Sequence, residues 1–143
     1  MNNGKIIIVA VAVAAIATAV FWNRMGVDSP QTGLSANNGS ATQVAIPSTF
    51  SETAKMGERA FNAICATCHG QNGAGTKAGP PLVHRIYEPS HHGDYAFEMA
   101  VANGVRAHHW NFGNMPPQPA LTKADTATII TYVRELQRAN GIN

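Results

Sequence analysis

In the stretch CATCH, Cys65 and Cys68 are separated by two residues and His69 follows at once. Two thiols at that spacing can act as a dithiol redox couple, as half of a zinc site, or as the two anchors of a covalent haem. Zinc needs a second pair of ligands at close spacing, and the chain has only these two cysteines. A thioredoxin-like couple needs a strand before it in a βαβ context, whereas the residues leading in repeat apolar positions at helical steps. What remains is C-x-x-C-H as a c-type haem attachment, with two thioethers to the porphyrin vinyls and an imidazole under the iron. The same short spacing excludes a disulfide framework that would staple distant parts of the chain.

Haem iron in an electron carrier needs a sixth ligand, and a methionine thioether raises the reduction potential. Five methionines compete. Met1 and Met25 lie before the folded part, and Met56 and Met99 fall in helical patterns where simple packing accounts for them. Met115 sits in GNMPPQP, a loop stiffened by Pro116, Pro117 and Pro119 that can hold its sulfur in one orientation. A histidine from the neighbouring pairs is the rival ligand.

Those pairs stand out. Of six histidines, His91, His92, His108 and His109 all fall within HHGDYAFEMAVANGVRAHHW, and His84 lies just upstream. Two readings stay open: solvated residues, with His108 and His109 just past a helix C-terminus, or a second metal site, since imidazole suits copper, nickel or zinc. A helix over residues 94–104 spans about 16 Å, which separates the two pairs unless the loops fold back. His84 could then join His91 and His92, leaving His108 and His109 near Met115. Arg106 and Trp110 carry donors suited to haem propionates.

The elements that must position these groups are helical. Ser51 or a nearby Thr caps a first helix running to Cys65, with Met56, Ala60, Phe61 and Ile64 at three- and four-residue steps. A second spans DYAFEMAVANGV, with Phe97, Ala100, Val101 and Val105 on one face and Asn103-Gly104 as its stop. Thr122 and Asp125 cap a third, whose apolar stripe is Ile129, Ile130, Val133 and Leu136, with Arg134 and Arg138 toward its end. Gly- and Pro-rich loops separate them, and nothing alternates long enough to make a sheet. The fold class is all-α.

At 143 residues the chain holds one domain, placed at 50–143. Residues 6–22, IIIVAVAVAAIATAVFW, are apolar or small and follow Lys5, so residues 1–25 form a signal-anchor or a cleaved signal peptide. The ATA at Ala17 to Ala19 suits cleavage. Residues 26–49 are rich in Gly, Ser, Asn and Thr, a flexible linker with a reach of roughly 25 to 30 Å, which favours the tether. The net charge of +2 and the 13% charged fraction come with no basic stripe, so nucleic acid is excluded as a partner.

With CATCHG, GPPL, GNMPP and IITYVREL in that order, residues 51–140 resemble the class I bacterial cytochromes c. The resemblance implies one covalent haem c held by Cys65 and Cys68, with His69 and Met115 as the axial ligands. It implies that the first helix crosses the last, Gly57 and Phe61 meeting Tyr132, and that the Pro80 carbonyl accepts a hydrogen bond from His69. The expected function is one-electron transfer between transient redox protein partners, without enzymatic activity, in the bacterial periplasm, anchored to the inner membrane by residues 6–22. The run from GPPL to NMPP resembles a subgroup of exported cytochromes c linked to copper tolerance. The alternative function is therefore copper handling, with a second metal at His84, His91, His92, His108 and His109. A haem enzyme such as a peroxidase would require Met115 to leave the iron.

Overall fold

The computed structural model describes residues 43–143. The expected anchor or signal at 1–25 and the linker up to residue 42 lie outside the described residues. Among the described residues four α-helices carry the fold: α1 (Glu52–Ile64), α2 (Ala66–His69), α3 (Asp94–Asn103) and α4 (Lys123–Ala139). Short 3-10 turns at Gln71–Gly73 and Arg85–Tyr87 shape the connection between α2 and α3. The described residues contain no named strand, only an isolated antiparallel bridge between Val105 and Met115. No helix among them is long and apolar enough to cross a membrane.

Each long helix starts where its sequence provides a cap. The Ser51 hydroxyl accepts from the Ala54 amide at 3.1 Å, satisfying an N–H that α1 itself cannot pair. At α4, Thr122 and Asp125 each accept from the other's backbone N–H, at 3.1 and 3.0 Å. Helix α3 lacks a side-chain cap and ends at Gly104, whose φ of 75° places it in the left-handed region.

Helices α1 and α4 cross at the core. Phe61 and Tyr132 are fully buried with ring centroids 5.5 Å apart and tilted, and Phe50 lies 5.2 Å from the same Tyr132 ring. The Tyr132 hydroxyl donates to Asn72 Oδ1 at 2.8 Å, so its one polar group is satisfied. Gly57 makes the close approach possible, because a Cβ there would overlap the backbone of Thr128 and Ile129. The glycine thus meets the α4 backbone one turn before Tyr132, while Phe61 meets the ring. Met56, expected on the apolar face, is 47% exposed. The buried stripe of α1 runs instead through Ala54, Gly57 and Phe61, the face that the crossing selects.

Residues 43–50, assigned largely to the linker from composition, are held against this pair. Asn140 bonds Ala45 in both directions at 2.8 Å, and Val44 and Phe50 pack on the core. The packed unit therefore extends upstream of residue 50.

Arg134 does more than favour a helix end. It is 6% exposed and bonds Asp94 Oδ1 at 2.8 Å, the Tyr87 carbonyl at 2.7 Å, the His92 carbonyl at 2.6 Å and Gln137 Oε1 at 2.6 Å. Its guanidinium carbon also lies 4.8 Å from the centre of the Phe97 ring. One side chain thereby ties α4 to the start of α3 and to the loop before it. Replacing it leaves the part-buried His92 carbonyl and Gln137 Oε1 without this donor and the Tyr87 carbonyl with only Gln137 Nε2 at 3.1 Å, so Arg134→Met is expected to cost about 2 to 4 kcal/mol in denaturant unfolding. Lysine lacks the planar fork, and Arg134→Lys should recover less than half of that loss.

Candidate haem site

A cavity of about 520 Å³ opens between α1, α3 and the loop leading to Met115. Phe61, Leu82, Phe97, Val101 and Ile129 give it an apolar lining, and Cys65, His69 and Met115 contribute the atoms with ligand or nucleophile chemistry.

The CATCH residues reach the cavity because the chain stays helical through them. Cys65 closes α1, and the amides of Cys68 and His69 both bond its carbonyl, at 3.1 and 2.9 Å. One helical turn therefore brings positions i, i+3 and i+4 to one side. Cys65 and His69 line the cavity; Cys68 is exposed and is not among the lining residues. Burial, with the neighbouring Cys68 second, pushes the Cys65 thiol up to about 11, opposite to the depressed value of a reactive dithiol couple.

His69 Nδ1 bonds the Pro80 carbonyl at 2.9 Å, which fixes that nitrogen as the N–H donor and leaves Nε2 as the free, basic one. Burial lowers the His69 pKa and the Pro80 bond opposes the shift, so the ring is held neutral, the form that ligates metals.

Met115 is positioned by backbone pairing as well as by its prolines. Its N–H and C=O exchange bonds with Val105, each 2.9 Å, and the Gln118 amide bonds the Val101 carbonyl at 2.8 Å. Gly104 allows the loop this close, since a Cβ there would run into the Met115 carbonyl and Pro117. Val105 was expected on the helix face; it lies beyond α3 and serves as Met115's bridge partner. Phe97, Ala100 and Val101 do share a wall of the cavity, joined by Met99.

Trp110 also lines the cavity, and its buried indole N–H has no hydrogen-bond partner. Burial holds the Tyr87 hydroxyl above its ordinary pKa, with the nearby Trp110 opposing the shift. Arg106 is exposed and does not line the cavity. Of the two residues expected to meet propionates, only Trp110 stands in the wall.

The two histidine pairs are not kept apart by α3. The loops fold back, and His91 Nε2 lies 3.4 Å from His109 Nε2. His92, His108 and His109 border the cavity. Desolvation, then the neighbouring His108, His92 and His91, lowers the pKa of His109. His84 stays outside this group: its Nδ1 accepts from the Ile86 amide at 3.2 Å, and its ring packs edge-on against Trp110. The Arg134 and Gln137 network behind the cavity wall had no sequence signal beyond two polar residues on a helix, because burial of that face is set by what packs on it.

An apolar chamber with a neutral imidazole, a thioether, a lining thiol and one orphaned N–H donor fits a haem: apolar faces for the macrocycle, axial donors for the iron and a donor for a propionate. The family model described as cytochrome c matches residues 54–137. No curated protein matches the sequence.

Proposed function

Because the chain belongs to the cytochrome c family, whose haem domain carries electrons, we propose that it is a mono-haem, one-electron carrier with His69 and Met115 as axial ligands and Cys65 and Cys68 as covalent anchors. The observation that carries this reading is the pairing of His69, turned by Pro80 to leave Nε2 free, with Met115 in the wall of the same cavity. When bound, haem c supplies an iron that accepts and releases one electron. The Pro80 carbonyl fixes the imidazole tautomer and raises its basicity. The bridge to Val105 sets the Met115 backbone, the apolar lining keeps water out, and the Trp110 N–H is suited to receive a propionate. With His69 and Met115 both holding the iron, no position would be left open for a small molecule, and carrying electrons would be favoured over activating one. Redox partners would meet the exposed edge in weak, transient contacts.

The same reading places the domain on the periplasmic side of the inner membrane, tethered by residues 6–22 through the linker. The apolar run and the composition of 26–42 support it.

Met115→Ala tests the axial assignment. Loss of the thioether is expected to abolish the six-coordinate low-spin spectrum, lower the midpoint potential and let added imidazole bind readily. An unchanged spectrum and potential would transfer the distal role to a histidine.

A further inference from the structure

Four imidazoles meet at one edge of the cavity. The ring centroids of His91 and His92 are 4.6 Å apart, those of His92 and His109 5.1 Å, and those of His108 and His109 4.3 Å. His91, His92 and His109 each offer a ring nitrogen, and the three nitrogens lie within 4.8 Å of one another. Among the described residues the salt bridges are Lys55 with Glu52 and Arg134 with Asp94, so no carboxylate pairs with these rings.

The 3.4 Å between His91 Nε2 and His109 Nε2 is long for a hydrogen bond, whose usual N–H···acceptor separation is about 2.9 to 3.0 Å. It suits a shared cation better. With metal–nitrogen bonds of about 2.0 to 2.1 Å, two imidazoles on a tetrahedral ion stand roughly 3.4 Å apart. The third nitrogen has only to close by about 1.4 Å from the widest separation to match, a side-chain rotation.

The scaffold holds the donors in place. His92 Nδ1 bonds the Ile86 carbonyl at 2.6 Å, leaving Nε2 free, and the His92 carbonyl is itself held by Arg134 at 2.6 Å. On the other segment, Ala107 bonds Asn114 Oδ1 at 2.9 Å just beyond the Val105–Met115 bridge. An all-nitrogen set without carboxylates selects copper, zinc or nickel over calcium or magnesium, and three protein donors leave a fourth position for water or another ligand.

We propose that His91, His92 and His109 form a binding site for a divalent transition-metal ion of the copper and zinc type, at the edge of the haem cavity. The site draws on two segments that converge only in the folded chain and is separate from the four residues assigned to haem. His84, named with the others from sequence, takes no part.

Zinc, which is redox-silent, is the first probe: titration calorimetry on the full-length ferric haem protein, without a polyhistidine tag, alongside Cu2+ electron paramagnetic resonance. One ion per chain is expected, with nitrogen hyperfine structure on copper. The His91→Ala/His109→Ala double variant should bind zinc roughly 100-fold more weakly or worse, since loss of even an outer partner of a ligand costs about 10- to 100-fold. Both rings are exposed, and an unchanged visible spectrum and melting temperature would show the variant to be folded. His84→Ala should match the parent. Zinc affinity in the double variant within about threefold of the parent, or a parent that fails to saturate near one ion per chain, would overturn the proposal. Failure of the axial assignment would appear in the haem spectrum instead, so the two readings fail separately.

Discussion

Cys65→Ala/Cys68→Ala is expected to leave no haem on the chain after denaturation in acidified organic solvent, while the parent retains one equivalent. The measurement is haem-stained electrophoresis with a pyridine haemochrome spectrum, whose α band reports how many vinyl groups remain. The two thiols occupy unlike surroundings. Cys65 lines the cavity, with burial raising its thiol to about 11, whereas Cys68 is exposed at the next turn. Each single variant should therefore retain haem by one thioether and show a red-shifted band. If the double variant kept covalent haem, the attachment proposed for these residues would be wrong. If one single variant left the band unshifted while the other lost covalent haem, only one thiol would be engaged.

Gly57→Ala should be the most damaging single-methyl change in the domain. Its Cβ would point into the Thr128 carbonyl and toward the Ile129 amide nitrogen at 2.9 Å, both of them backbone that no rotamer change can move aside. The α1–α4 crossing would have to open, separating Phe61 from Tyr132 at the centre of the core. Overpacking of this kind costs about 3 kcal/mol. For a domain of this size that corresponds to a fall of roughly 15 °C in melting temperature, read by circular dichroism of the haem-loaded protein. Alanine is the better helix former, so a stabilised variant would mean that the crossing is looser than described.

Helix positions were legible where local chemistry decides them. Ser51, the Thr122–Asp125 box and Gly104 mark ends that depend on neighbours within four residues, and these appear as read. The faces of the helices were less so. Met56 looked apolar and inward at helical spacing yet is exposed, because the contact of Gly57 with α4 chooses which stripe is buried. Arg134 was legible only as a basic residue toward a helix end. It is buried because α3 and the 87–92 loop bring it an acceptor for each branch of its fork.

The site divides in the same way. The clip proposed for haem was legible from spacing alone, since in C-x-x-C-H one helical turn brings the second cysteine and the histidine back beside the first. The sequence by itself also singled out Met115 among five methionines, through the prolines around it. How Met115 is held was not legible: its backbone bonds Val105, a residue assigned from periodicity to a helix that in fact ends before it. Nor did local pattern separate Trp110 from Arg106, or His91, His92 and His109 from His84. Those outcomes depend on long-range closure of the loop around α3: two histidine pairs set apart by a helix of about 15 Å meet at 3.4 Å because the chain returns across the cavity, a path that no local periodicity encodes.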